Sequence, residues 1–311
     1  MTSMTQSPSP DTHVGIVTVT YFPGETVTLL LESVEAAADW VKWGRPTVVM
    51  ADNGSTDGSI EEVEKTGLAT VLHTGGNLGF GGGANAGVAA LPKAMEWVLI
   101  CNSDLTFAPG AIEELLSAAG RHPRAGALGP MLLTPDGQPY PSARELPSIG
   151  RGVGHAAFGW VWPRNPWTKA YRRDHEIPQE RGAGWLSGAC LLVRRSVFDQ
   201  LGGFDPAFFM FFEDVDLGDR IGRAGWENVY VPSARVTHIG GHSTQRHQAE
   251  MTAAHHRSAY VYLARRYVHW WQAPLRMALK AGLTIRSAMA RRSAALAGGA
   301  DLPTRPEINC N

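Results

Sequence analysis

The sequence has 311 residues and a formal net charge of -1. That length suits one large α/β domain or two smaller ones, with ample material for a core. Near-neutral charge supplies no global attraction to nucleic acid, and no apolar run reaches the roughly 18 residues that span a bilayer, so a soluble or membrane-surface protein is expected.

Residues 1–13, MTSMTQSPSPDTH, lack a basic region followed by an apolar one. They read as a disordered tail rather than a secretory signal. The next hundred residues alternate short β-rich runs with helical stretches. Strands are predicted at 14–20 (VGIVTVT), 46–51 (PTVVMA), 69–73 (ATVLH) and 97–101 (WVLIC), and helices at 25–39, 57–65 and 83–92. Such alternation implies a Rossmann-like, mostly parallel sheet covered by helices on both faces. Ligands bind such sheets at the carboxyl ends of the strands.

The residues after those strands therefore carry the functional reading. After the second strand comes ADNGSTDGS. Asn53-Gly54 is turn chemistry and Asp57 is a plausible helix N-cap. Asp52 ends a buried strand, where an acceptor can read a base edge. After the third strand comes GGNLGFGGGANAG, a loop that lets backbone N–H groups approach a phosphate or ribose. It contains Gly79-x-Gly81-x-x-Ala84, a loose dinucleotide fingerprint in the wrong place, since the first strand runs instead into YFPGE. After the fourth strand comes CNSDLTF. Asn102-Ser103-Asp104 offers hard oxygen ligands for Mg²⁺ or Mn²⁺, or forms an Asx turn. Taken together, these motifs describe a nucleotide-diphosphate site with a metal at Asp104.

A second region, about 126–240, holds Pro-rich loops, a strand GWLSGACLLVR, a helix near 214–224 and strands near 226–231 and 235–239. Its centre is FFMFFEDVDLGDR, where phenylalanines run into Glu213, Asp214 and Asp216. Leu217, Ile221 and Ala224 give that helix one apolar face, which puts Asp214 near the helix N-terminus. The dipole there favours its anion, while the apolar wall opposes it by desolvation. Asp216 and Arg220 are spaced to pair along the helix. Cys101, Cys190 and Cys310 show no metal or CxxC spacing; the first two read as buried apolar packing in a reducing compartment.

From Met251 to Ala300 there is no acidic residue, and eight Lys or Arg lie among Tyr and Trp. Leu275, Leu279 and Leu283 share a helical face, with Arg276 and Lys280 beside it. This segment either lies on an anionic membrane surface or packs on the catalytic domain or on a second subunit, as in a homodimer.

VTVTYFPGE, ADNGSTDGS, GGNLGFGGGANAG and CNSDLTF resemble the nucleotide-sugar half of inverting family-two glycosyltransferases. The long stretch from GWLSGACLLVRR to FMFFEDVDLGDRIGRAGW resembles their acceptor half. YPSARELPS, WPRNPWTKAY and the basic, Trp-rich C-terminal segment are similar to the actinobacterial cell-wall rhamnosyltransferases. The resemblance covers roughly residues 14–242. It implies a GT-A fold with a nucleotide-sugar half at 14–125, an acceptor half at 126–245, membrane-associated helices at 246–292 and a flexible tail at 293–311.

It further implies a dTDP-L-rhamnose donor, a polyprenyl-diphosphate-GlcNAc acceptor, and a cytoplasmic enzyme peripheral on the inner face of the plasma membrane. Thr20 and Tyr21 match the motif that meets the nucleoside, and Asp52, with Asn53 beside it, matches the pyrimidine-contacting acid. Asn77 and Gly79 match the loop under ribose and sugar. Asn102-Ser103-Asp104 holds the place of the metal-binding DxD motif, keeping one carboxylate. His238 matches a histidine at the metal or diphosphate; His242 is read as an ordinary polar residue. Asp214 matches the general base, with Glu213 on the acceptor side. The Gln-x-x-Arg-Trp motif of processive members is absent, so one sugar per encounter is expected. A transferase of another hexose, an NAD(P)-dependent oxidoreductase and an inactive carbohydrate-binding homologue are the alternatives.

Overall fold

A computed structural model of the chain describes residues 14–147, 179–240 and 248–298. The chain divides into two compact units, 1–243 and 244–311.

The first unit is built on one sheet. Strand β1 (Val14–Thr20) pairs in parallel with β2 (Thr47–Asp52) and β4 (Trp97–Asn102), and β2 pairs in parallel with β3 (Thr70–His73). Val14 and Ile16 pack into one apolar cluster, while Val17 and Val19 pack into another. Burial on both faces is why these strands read as continuous apolar runs rather than alternating ones. Helices α1 (Thr26–Glu35), α2 (Trp40–Trp43), α3 (Ser59–Thr66) and α4 (Gly79–Ala90) connect them. The expected helix at 25–39 thus ends at Glu35, and a separate short helix follows at Trp40–Trp43.

The larger correction concerns α4. Gly79 to Gly83, expected as an open phosphate-approaching loop, is already helical. The reason lies in packing. A Cβ on Gly83 would sit 2.7 Å from Val19 Cγ1, and one on Gly87 would sit 2.4 Å from Val17 Cγ1. Glycines four apart on the helix face valines two apart on β1. The bare stripe lets the helix lie directly on the strand.

Beyond β4 the sheet becomes mixed. Its further elements are β5 (Leu105–Phe107), α5 (Ala111–Arg121), β6 (Ala125–Leu133), β7 (Pro139–Tyr140), β8 (Ala143–Arg144), β9 (Arg181–Ala183), β10 (Trp185–Leu186), β11 (Cys190–Arg194), α6 (Arg195–Gln200), α7 (Glu213–Arg223) and β12 (Glu227–His238). The main strand order is β3-β2-β1-β4-β11-β6-β12-β5, and one sheet therefore carries both halves of the expected division. The predicted strand 184–194 breaks into β10 and β11, because β10 leaves to pair with β8 in a separate ribbon. The strands expected near 226–231 and 235–239 are one strand, β12, with a register irregularity between Val231 and Arg235. Ala224, expected on the apolar face of α7, caps the helix instead and is exposed.

Cys101 and Cys190 are register partners on β4 and β11, both buried and free. Burial pushes the Cys101 thiol up to about 12 and raises Cys190 likewise, so both stay protonated hydrophobes.

The second unit contains helices α8 (Gln248–Arg266) and α9 (Ala273–Gly298), with a 3₁₀ turn at Trp270–Gln272 between them. Helix α9 continues past 292, where a flexible tail was expected to begin. The expected N-terminal tail, the WPRNPWTKAY segment, His242 and Cys310 lie outside the described residues.

The packing of α4 yields a paired test. Gly87→Leu should destabilise by about 1–3 kcal/mol or more through overpacking. Gly222→Ala, on an exposed helical site with nothing within 4 Å of the new Cβ, should stabilise by ~0.5–1 kcal/mol. Urea midpoints of the two variants check both signs.

Candidate active site

The ends of β1, β2 and β4 meet at one edge. Asp52 is buried there, and its carboxylate is heavily used. Oδ1 accepts from Thr20 Oγ1 (3.0 Å) and Ser55 Oγ (2.6 Å), and Oδ2 accepts from the Gly54 and Ser55 amides, each at 3.1 Å. Asn53 is also buried. Its amide nitrogen donates to Gly79 O at 3.1 Å, and its Oδ1 accepts from Thr74 Oγ1 at 3.0 Å. Thr20, Asp52 and Asn53 therefore tie the strand ends to the start of α4. Asp57, expected as the helix N-cap, stands one residue before it, because Gly58 takes that position; its carboxylate accepts from the Ser59 and Gly24 amides.

What this knot leaves outward is aromatic. Tyr21 is 44% exposed, and its ring meets Phe22 edge-on at 4.5 Å. Phe22 has a left-handed φ of 52°, and its amide donates to Ser55 Oγ. The pair forms a fixed apolar surface beside the carboxyl end of β1. Asn77 is exposed and accepts from the Gly79 amide at 2.9 Å.

At the end of β4, Asp104 Oδ1 lies 3.1 Å from His238 Nε2. The Asn102 side-chain nitrogen lies 3.4 Å from the same ring nitrogen. On the far side of the imidazole, Tyr140 Oη is 3.3 Å from Nδ1. Both ring nitrogens thus face polar partners, Nε2 toward Asp104 and Asn102 and Nδ1 toward the phenol. Asp104 and His238 come from distant parts of the chain, joined because β12 pairs with β5 next to Asp104 (His238↔Leu105). Ser103 lies between Asn102 and Asp104 in sequence, half-buried.

This donor set fits a divalent cation in one specific way. Among the described residues no three His, Cys, Asp or Glu gather into a cage. A carboxylate, an imidazole and a neighbouring amide are a partial shell, and Mg²⁺ or Mn²⁺ commonly completes such a shell with phosphate oxygens and water. His238, at 3.1 Å from Asp104, is the imidazole of that shell.

The acid-bearing loop closes over the start of α4. Gly79 has φ +74°, and a Cβ there would meet the Phe209 carbonyl oxygen at 2.0 Å. A Cβ on Gly81 would meet Phe204 Cβ at 2.9 Å. The glycines of the loose dinucleotide fingerprint are thus filled by protein, and the oxidoreductase reading loses its phosphate cradle. Phe204 and Phe208 are fully buried, whereas Phe209 is half exposed. Phe211 and Phe212 both hold φ of 66°. Two consecutive non-glycine residues in that region cost roughly 1–3 kcal/mol each and persist only where surrounding structure over-determines them.

Helix α7 begins at once with Glu213 and Asp214. Asp214 Oδ2 accepts from the Gly188 amide (2.9 Å) and Oδ1 from the Val215 amide (2.8 Å). Burial raises its pKa above the ordinary aspartate range, partly opposed by these amides and by Arg144. Glu213 is 7% exposed, and its Oε2 has no partner. Burial first, and the Asp214 charge second, push its pKa up to about 8. Asp216 pairs with Arg220 at 2.7 Å and braces the helix, as its spacing predicted.

Tyr140 connects the two sides. Its pKa is raised, chiefly by burial, and also by the charges of both Asp214 and Asp104, while a Ser187 hydrogen bond opposes the shift. One phenol therefore senses both carboxylates. Sequence reasoning missed Tyr140, Arg144 and Gly188 as site residues. The first two stand in YPSARELPS, which carried a resemblance but no role. Gly188 sits in the turn hidden within a predicted strand.

Residues 16–202 match the family described as Glycosyl transferase family 2. The chain belongs to that family. It is a glycosyltransferase with a mixed α/β fold. It is 51% identical over 289 residues to the N-acetylglucosaminyl-diphospho-decaprenol L-rhamnosyltransferase of Mycobacterium tuberculosis, covering 89% of this chain and 92% of that one. Rhamnosyltransferase WbbL of Escherichia coli (strain K12) is 36% identical over 84 residues, covering 27% of this chain and 32% of that one. Among solved structures, GalNAc-T7 with UDP, GalNAc and Mn²⁺ superposes with a TM-score of 0.55 at 14% identity, over 89% of this chain and 55% of that one. That likeness concerns the fold.

The two acids predict a pH signature. Glu213 has a folded pKa of about 8 against 4.5 for the free side chain. Between those values the folded state binds more protons, so stability is full below 4.5 and falls as pH rises through 8. Thermal melts should drop by a few degrees from pH 5 to pH 8. Glu213→Gln should flatten that drop.

Proposed function

We propose that this enzyme transfers L-rhamnose from dTDP-L-rhamnose to N-acetylglucosaminyl-diphospho-decaprenol, with inversion, in synthesis of the arabinogalactan-peptidoglycan linker. The carrying observation is 51% identity over nearly the whole of both chains to a relative of that activity.

The site residues take roles consistent with it. The Tyr21–Phe22 surface receives the base beside Asp52, whose hydrogen bonds hold the strand ends in place. Asn77 and Gly79 lie under ribose and sugar, with Asn53 fixing Gly79 from below. Asn102, Ser103, Asp104 and His238 face the diphosphate and would hold Mg²⁺ or Mn²⁺. Such a cation, when bound, neutralises charge developing on the leaving diphosphate. Tyr140 orients the His238 ring through Nδ1.

Asp214 is the general base. Two backbone amides fix its orientation, and burial raises its proton affinity into a more useful range. The acceptor hydroxyl oxygen bonds to the anomeric carbon as the carbon–diphosphate bond breaks on the opposite face. The hydroxyl proton passes to Asp214. Glu213, whose pKa stands near 8, is largely protonated at neutral pH and suits hydrogen-bond donation on the acceptor side better than proton abstraction. Transfer of another hexose is the competing assignment, since the donor sugar rests on the relative's name. A polyprenyl acceptor supports a peripheral position for the enzyme on the inner face of the plasma membrane.

A donor screen against synthetic polyprenyl-diphosphate-GlcNAc tests the assignment, with product linkage read by NMR. Only dTDP-rhamnose should turn over efficiently; preference for another nucleotide-hexose overturns it. Asp214→Asn should lower kcat by about 10³-fold or more with donor affinity intact. Near-normal turnover would remove Asp214 from the base role. Asp104→Ala should weaken donor binding in Mg²⁺ or Mn²⁺ far more than in chelator, measured by calorimetry.

A further inference from the structure

Helices α8 and α9 contact each other as an antiparallel hairpin. His256 Nδ1 lies 2.8 Å from Ser287 Oγ, and Lys280 Nζ lies 6.0 Å over the Tyr260 ring. At the tip, Val268 is 65% exposed, Trp270 85% and Trp271 60%. A helical hairpin gains stability by turning such side chains inward. Here the largest apolar groups of the turn point to solvent.

The turn that presents them is internally fastened. The His269 amide donates to Gln272 Oε1 at 3.1 Å. The Trp271 ring stacks on His269, with centroids 5.6 Å apart and planes 7° apart. Arg276 reaches back from α9 and donates from Nη1 to the carbonyls of Tyr267 (2.7 Å) and His269 (3.0 Å). These contacts fix the turn that carries both indoles, and the stack fixes the Trp271 ring, so little ordering of the backbone is required when a partner covers them.

The charge around the tip selects the partner. Residues 251–300 carry eight Lys or Arg and no Asp or Glu. Arg265, Arg266, Arg276 and Lys280 flank the turn, so a second copy docked tip to tip would set cation against cation, which opposes self-association through this face. A surface that is anionic outside and apolar just beneath accepts both features at once. Indoles prefer that boundary, where a polar N–H and an apolar ring are both satisfied. Among the described residues no helix is long and apolar enough to cross a membrane. The tip therefore enters the boundary without spanning it.

We propose that the Val268–Trp271 knuckle is a preformed interfacial anchor that inserts its two indoles into an anionic lipid bilayer. The inference deepens the proposed peripheral location and rests on that reading for its setting, although its observations belong to the hairpin alone.

Full-length protein is floated with vesicles of phosphatidylcholine and phosphatidylglycerol in equal parts, and with phosphatidylcholine alone. Strong binding to the anionic vesicles, weakened by salt, is expected. Trp270→Ala/Trp271→Ala should lower partitioning by about tenfold or more, with unchanged circular dichroism. Lipids brominated in the acyl chains should quench wild-type indole emission, and this quenching should largely vanish in the variant. Equal flotation of variant and wild type overturns the proposal. So does a variant that turns a dimer into a monomer by light scattering with vesicle binding unchanged, which would make the tip a subunit interface. Transfer to a short, water-soluble acceptor analogue should be the same in both proteins. Loss of transfer by both with every acceptor would count against the catalytic reading and leave the anchor standing.

Discussion

Everything at this active site depends on how closely one loop can approach one helix. The carbonyl of Phe209 and the side chain of Phe204 occupy the space where Gly79 and Gly81 would carry side chains. Only that approach brings the start of α7, with its two acids, against the start of α4. It also removes water. Desolvation is the largest influence on both Glu213 and Asp214, and both pack against glycines: Glu213 Cβ lies 3.7 Å from where a Gly81 Cβ would stand, and Asp214 Cβ 3.1 Å from one on Gly188. The juxtaposition of apolar wall and carboxylates is therefore a single device: the wall sets the proton affinity of the acids.

The same economy explains how two neighbouring carboxyl groups come to differ. Asp214 receives two backbone amides and the field of Arg144, all favouring its anion. Glu213 has one oxygen buried without a partner. Like charges nearby resist joint ionisation, so the better hydrogen-bonded partner ionises first. The pair divides into a carboxylate and an acid through environment rather than residue type.

Much of this was legible in the sequence. The four parallel strands, the register of α7 and the Asp216–Arg220 brace follow from periodicity and spacing, which local physics controls. The glycine-rich segment was misjudged because glycine serves two purposes: freedom of backbone and absence of bulk. Sequence displays the residue and not the reason. Only the facing valines on β1 reveal that bulk was the issue at Gly83 and Gly87. Tyr140 escaped notice for another cause. It sits on a two-residue strand, too short for any period, and its importance arises from His238, almost a hundred residues away. Asp52 and Asn53 stand out in the sequence as ligand contacts, yet most of their polar atoms hold strand ends together. A turn that shapes a site and a residue that touches a ligand look alike in one dimension.

The seam between β4 and β11 has a wider consequence. Cys101 and Cys190 lie opposite each other, and one step on, the Asn102 amide donates to the Ala189 carbonyl at 2.9 Å. Asn102 stands beside the Asp104–His238 pair, and Gly188, next to Ala189, holds Asp214. The two halves of the chemistry are thus stitched by adjacent rungs of one ladder, with no hinge between them. A slip of a single rung would turn each side chain to the opposite face and part Asp214 from the Asp104–His238 pair altogether. Assembly errors at this seam yield silent enzyme rather than sluggish enzyme, so the working fraction of a preparation counts the molecules that zipped in register.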